Sequence, residues 1–197
     1  MVPNLEQLRK NYEQFDDKKL LRIASEEAAG LRPEALELLK QEINRRRLTA
    51  NAVKAADVLT KTISAEEFAG YVETLRNLPC PFCGGTDQKL NATITANVVS
   101  IILFTHQQKE VKIGCPRCLN KQNNNAMIKT ALLGWWGIPW GIIRTPKALL
   151  FNANQKAQND FPEANELFKS FVYERLGRIE MNKNNPEGLQ DIIGYIR

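Results

Sequence analysis

The placement of the four cysteines constrains this chain more than any other feature. They form two C-x-x-C pairs, Cys80 with Cys83 in "CPFCGG" and Cys115 with Cys118 in "CPRC", separated by 31 residues. A C-x-x-C turn sets two thiolates on one side of an ion, and two such turns complete the tetrahedron that zinc prefers. Proline after the first cysteine of each pair suits a tight turn, and Gly84 offers the left-handed backbone such a turn uses. Leu119 stands where the second pair would have its glycine. The spacer exceeds the common length of about 15–20 residues, and its pattern accounts for the excess. Leu90, Ala92, Ile94, Ala96 and Val98 alternate with Asn91, Thr93, Thr95 and Asn97, which is the period of a strand. "VVSIILFT" continues it as a buried strand, "HQQ" (106–108) reads as a turn, and Val111 and Ile113 mark the return. One strand over 90–105 would run to roughly 50 Å, so a break is expected near Asn97.

These observations predict a small antiparallel zinc ribbon closed by a Zn2+ ion on Cys80, Cys83, Cys115 and Cys118. Four thiolates leave no open coordination position, so the metal is expected to be structural rather than a water activator. Two disulfides and an iron–sulfur or redox role are the other uses of such pairs, and pairing every cysteine in C-x-x-C favours metal in a reducing compartment. His106, the only histidine, is expected in an exposed turn away from the metal.

On both sides of the ribbon the periodicity is helical, giving an α+β chain. Leu5, Leu8, Tyr12 and Phe15 define a first stripe. Asp16 or Asp17 caps a second helix that Gly30 ends, and Pro33 opens a third with Leu36, Leu39 and Ile43 inward. Arg45, Arg46 and Arg47 at its end read as a solvated, dipole-favoured terminus or as an anion patch. Ser64 and Glu67 form a capping box for a helix burying Phe68, Tyr71, Val72 and Leu75. Helices are expected again from Pro162 and from Pro186, with Ile196 on the inner face of the last. Asn123 to Asn125, and Asn182 with Asn184 and Asn185, read as loops or frayed helix ends. The expected segments are a helical module over 1–48, a linker and capped helix over 49–79, the ribbon over 80–118, a tryptophan-rich bent helical hairpin over 119–156, and C-terminal helices over 157–197.

That bent segment is the second unusual feature. "ALLGWWGIPWG" packs all three tryptophans into six residues among three glycines and a proline. Gly134, Gly137, Pro139 and Gly141 rule out a straight spanning helix. Two helices around a bend fit, the first ending near Gly134 and the second starting at Thr145–Pro146. The hairpin could be core that ties the modules together. It could also lie in a membrane interface or against a protein partner. In the latter two readings Leu132, Leu133, Trp135, Trp136, Ile138, Trp140, Ile142, Ile143, Arg144 and Lys147 make the contact; at a membrane the apolar side chains meet the interface and acyl chains, with Arg144, Lys147 and Lys129 facing anionic phosphates.

Charge supports contact with phosphate. Residues 80–151 hold eight Lys/Arg against Asp87 and Glu110, more than the whole chain's net +5. Nucleic acid or the ribosome is the alternative partner, although the strands lack interleaved arginine and aromatic residues. Nothing resembles a phosphate loop, a His-based constellation or a carboxylate pair beside the metal, so no enzyme is expected. The N-terminus has no apolar signal region. The expectation is a cytoplasmic protein, peripheral at the inner face of the membrane, of open oligomeric state.

"LPCPFCGG", "IGCPRC" and "KTALLGWWGIPWGIIRTPKAL" together resemble uncharacterised bacterial zinc-ribbon proteins of Bacteroidetes-type genomes, which share a GWWGIPWG signature. A looser similarity is to LITAF-type domains, membrane-associated zinc ribbons whose two C-x-x-C knuckles flank an apolar segment. That resemblance implies zinc on the four cysteines and contact with a bilayer. Here, however, the apolar block follows the second knuckle and the insert alternates like a strand.

Overall fold

The computed structural model describes residues 5–101 and 104–194, and the chain divides into two compact units. The first comprises Met1–Tyr71 with Val172–Ile192, the second Val72–Phe171 with Ile193–Arg197.

The first unit is helical. Helices α1 (Leu5–Gln14), α2 (Asp17–Arg22), α3 (Pro33–Arg45) and α4 (Ala50–Thr60) surround a core that includes Tyr12, Leu20, Ile23, Leu39, Ile43 and Ala56. Asp16 caps α2 by accepting from Lys19 N–H at 2.7 Å. The expected linker after residue 49 is α4 itself, capped by Thr49. The arginines that end α3 are not a free patch. Arg45 and Arg46 both donate to the buried Glu42, holding its carboxyl down at about 2. Arg46 also donates to the carbonyls of Tyr12, Glu13 and Phe15, closing the C-terminus of α1.

C-terminal helices belong to this unit as well. After α5 (Ala65–Arg76), which opens with Glu67 N–H donating to Ser64 Oγ, and the later α8 (Glu166–Glu174), helix α9 (Leu176–Met181) packs on the N-terminal helices. Gly177 allows the approach, since a β-carbon there would collide with the Ser25 carbonyl. Helix α8 starts at Glu166 under an Asn165 cap rather than at Pro162, because Phe168 N–H donates to Asn165 Oδ1. Helix α10 (Pro186–Gly194) starts at its proline as expected; Ile196 lies outside the described residues.

The second unit is built on one antiparallel hairpin, β1 (Asn91–Ile101) and β2 (Phe104–Gly114), flanked by two 18-residue helices, α6 (Pro116–Leu133) and α7 (Trp140–Ala157). Two expectations are corrected here. Strand β1 has no break at Asn97, which pairs with Gln108. The "HQQ" residues are not a turn: His106, Gln107 and Gln108 lie in β2 opposite Val99, Val98 and Asn97. Strand β1 ends at Ile101, which pairs with Phe104 at the start of β2.

Asn123–Asn125 are also corrected, from loop or frayed end to the interior of α6, and the reason organises the whole unit. The outer edge of β1 is closed by side chains rather than by a third strand. Asn152 bonds both Ala96 N–H and Ala96 C=O, at 2.8 and 2.7 Å. Thr130 accepts from Val98 N–H, Gln155 from Ile94 N–H, and Asn123 and Asn165 donate to the carbonyls of Ile94 and Ala92. An unpaired strand edge is an aggregation template; here α6, α7 and the α8 cap satisfy it through amides and hydroxyls. This covering buries Thr93 and Thr95 too, although their alternation with apolar neighbours reads as a solvated face.

Candidate functional site

The hairpin brings two groups of residues to its opposite ends. At about 3.3 Å per residue, eleven paired residues separate them by roughly 35 Å.

At the root, the sulfurs of Cys80, Cys83, Cys115 and Cys118 all lie within 4.8 Å of one another. The first pair sits in a turn where Gly84 N–H donates to Cys80 C=O at 2.8 Å and Cys80 N–H to Gly85 C=O at 2.9 Å. Gly84 has φ +71°, the left-handed conformation its position in the motif calls for. The second pair is not a matching knuckle. Cys115 follows β2 directly and is the N-cap of α6, Pro116 takes the first helical position, and Cys118 lies in the first turn. Leu119 therefore needs no left-handed backbone and is fully buried. Gly114 faces the Phe82 ring so closely that a β-carbon would collide with it.

Burial pushes the Cys80 thiol up, but the N–H groups of Cys115, Phe82 and Cys83 outweigh it and lower the group to about 7; the Cys115 N–H lies 3.3 Å from the sulfur. Burial raises both Cys115 and Cys118, with neighbouring sulfurs adding to the effect at Cys118. Four close sulfurs, two reluctant to ionise alone, form a donor set whose thiolates a divalent cation would stabilise. The cluster can hold a metal ion. His106 is exposed in β2 and takes no part in it.

At the tip, the polarity of the chain is inverted. Helix α6 ends at Leu133 with Gly134 as its C-cap, as expected, while α7 begins at Trp140, so Pro146 lies inside it rather than at its start. The turn between them packs its small residues inward. A β-carbon on Gly134 would strike Thr145 Oγ1, one on Gly137 would strike Thr105 Oγ1, and one on Gly141 would strike the Gly134 carbonyl. Ser100 Oγ joins the hairpin to the turn by donating to Gly134 C=O at 2.7 Å. The large residues point outward. Trp136 is 70% exposed and Ile138 72%, and Leu132, Leu133, Trp135, Trp140, Ile142 and Ile143 are all exposed as well. Of the three uses left open for the tryptophans, packing as core does not fit: close contact with Ser100, Thr105 and Thr145 admits only glycine, and the indoles are exposed. Trp136 keeps one tie, its Nε1–H donating to Leu132 C=O.

Lys147 and Lys129 are exposed, and Arg144 is half-buried against the hairpin. The strand end contributes a residue that periodicity placed in a buried strand: Phe104 is 81% exposed. Its only sequence signal was the length of the apolar run, which exceeds what one strand needs. Among the described residues, no helix is long and apolar enough to cross a membrane.

Compared with known proteins, the chain matches no family model, no curated protein and no solved structure.

Proposed function

We propose that the four cysteines hold one structural Zn2+ ion, making the second unit a zinc ribbon, and that this unit is a non-enzymatic docking module whose tip enters the interface of a membrane. The single observation that carries the docking reading is the inverted tip. Glycine, serine and threonine are buried there while three tryptophans and five aliphatic residues face outward. In water each exposed large side chain forgoes roughly 1.5–3 kcal/mol of burial, and a contiguous apolar surface of this kind is a mark of an interaction site. Indole rings favour the headgroup region, where the apolar body is shielded and the N–H stays wet. Leucine and isoleucine beside them reach the acyl boundary, so the segment lies in the interface without spanning it.

For the metal, the support is geometric. A tetrahedron with zinc–sulfur bonds of about 2.3 Å has sulfur–sulfur edges of about 3.8 Å, and Cys83 Sγ lies 3.9 Å from Cys115 Sγ. Zinc at the root fits a cytoplasmic protein, peripheral at the inner membrane face, where thiols remain reduced.

Flotation of the zinc-loaded protein with phosphatidylcholine liposomes tests the docking reading. The wild type should float, and the triple variant W135S/W136S/W140S should remain at the bottom while keeping its zinc and its circular dichroism. A wild type that floats neither with these liposomes nor with ones containing an anionic lipid, a triple variant that still floats, or one that unfolds would each overturn it. Failure to float combined with specific capture of one protein would assign the tip to a protein partner. Metal analysis of the purified protein should give one zinc per chain; iron–sulfur absorption would overturn that assignment.

A further inference from the structure

The tip carries its own cation, and it is fixed in place. Arg144, in the second turn of α7, lies with Cζ 5.4 Å from the centroid of the Trp140 ring. Its Nη1 donates to Thr105 C=O at 3.3 Å. One side chain therefore spans the two lobes of the tip, the helix bend and the hairpin end. A guanidinium has five N–H donors in a planar fork, and among the described residues only one of Arg144's is taken. No carboxylate pairs with Arg144, Lys147 or Lys129 among those residues. None is near in sequence either, since residues 111–159 contain seven Lys/Arg and no Asp or Glu. The lobes are held in fixed relation by Ser100 Oγ, which pairs with Thr105 Oγ1 at 3.1 Å and donates to Gly134 C=O.

We propose that Arg144 binds the phosphate of an anionic phospholipid, with Phe104 on the hairpin and Trp136 and Ile138 on the bend entering the bilayer interface on either side of it. This rests on the membrane reading above and adds the lipid class, the headgroup ligand and a second anchor. A guanidinium held over an indole at 5.4 Å, with most of its fork free, is pre-organised for a bidentate phosphate contact. A soluble phosphate would satisfy the fork but leave the flanking apolar groups in water. A lipid satisfies both, because its acyl chains lie where Phe104 and Ile138 point. Lys147, one turn further along α7, adds to the field, and the lack of acid removes internal competition. The ribbon then meets the membrane end-on, with its cysteine root roughly 35 Å away from the tip.

The test uses the full, zinc-loaded chain with vesicles of phosphatidylcholine alone and of phosphatidylcholine with one third phosphatidylglycerol. The wild type should bind the mixed vesicles about tenfold more tightly. R144Q should lose roughly fivefold on mixed vesicles, the usual worth of one cation near an anionic surface, and nothing on neutral ones. R144K should fall between, since it keeps the charge and loses the fork. F104S should weaken binding to both vesicles by the same factor. K121Q, which removes a cation at the root, should change neither. Equal binding of the wild type to both vesicles, or equal losses in R144Q and K121Q, would overturn the phosphate site while leaving membrane docking intact. Absence of binding to either vesicle would overturn both. Displacement from mixed vesicles by millimolar inorganic phosphate would assign Arg144 to a soluble anion instead. Circular dichroism checks the fold of R144Q, and if it unfolds, the comparison of R144K with K121Q decides.

Discussion

The two ends of the hairpin unit solve opposite problems with the same strands. At the root, β1 and β2 converge on four cysteines, of which Cys80 and Cys115 are buried, and the Cys115 N–H is turned toward the Cys80 sulfur. At the tip, the same two strands end among exposed tryptophans, with glycine where a side chain would be expected. The root gathers a donor set that can hold a metal ion. The tip is closed by backbone contact and leaves its apolar groups exposed. The two ends of one hairpin thus differ, and the proposed separation of metal-based stability from docking can be attacked from either end.

The largest effect is expected at the root. Stripping the metal with a chelator, or replacing Cys115 with serine, should melt the hairpin root and the first turns of α6, because metal binding at such sites is itself folding free energy of about 10 kcal/mol or more. Thermal denaturation followed by circular dichroism would read a loss of well over 10 °C for the second unit, and an unchanged melt would refute a structural metal. The next effect lies between the ends. Asn152→Leu removes both bonds to Ala96, leaving its buried N–H unpaired and its C=O with only the 3.4 Å bond from Thr130 Oγ1, which should cost roughly 1–3 kcal/mol in urea unfolding. A loss below about 0.5 kcal/mol would show that side chains do not hold the β1 edge. Metal uptake should also depend on pH in a stated direction. Cys115 and Cys118 sit above the ordinary thiol range by burial, so binding must expel protons, and affinity should fall as pH drops from 8 to 6. Competition titrations at the two pH values check this.

What could be read from the sequence follows how local each signal is. The cysteine set, the Gly84 turn, a cap at Asp16 or Asp17 and the Ser64 cap are decided within a few residues; the first two stand as expected, Asp16 takes the cap of α2, and Glu67 N–H donates to Ser64 Oγ as one half of the capping box. Asn123 was illegible because asparagine in a helix reads as a breaker, on account of its amide competing for nearby backbone; here that amide is used on a strand some thirty residues away. The turn was misplaced to His106–Gln108 because polar residues resemble turns and "IILF" does not. Only an apolar tip accounts for a reversal inside that run. The tryptophans posed the hardest case, since the same spacing serves a core or a surface. Their direction is set by which neighbours crowd the glycines, Ser100, Thr105 and Thr145, and none of these is near in sequence except Thr145. The union of α9 with the N-terminal helices was equally hidden, resting on the approach of Gly177 to Ser25.

The smallest expected change is also the sharpest test of the separation. Trp136→Ser and Ile138→Ser remove side chains that are 70% and 72% exposed, and exposed positions without special partners usually shift stability by no more than about 0.5 kcal/mol. Trp136 has one hydrogen bond, to Leu132 C=O, but that carbonyl lies at the end of α6 where water can replace the donor. Each variant should therefore unfold in urea within about 0.5 kcal/mol of the wild type and keep its zinc. Gly137→Val, one residue away, should behave differently, because its side chain is forced into Ser100 and Thr105 and must push the two lobes apart. Overpacking of that kind costs about 1–3 kcal/mol. If the serine variants lose as much as the glycine variant, the tryptophans are structural and the tip is not a free surface. If they lose nothing while Gly137→Val does, the small residues carry the fold of the tip and the large ones are left for whatever it docks on.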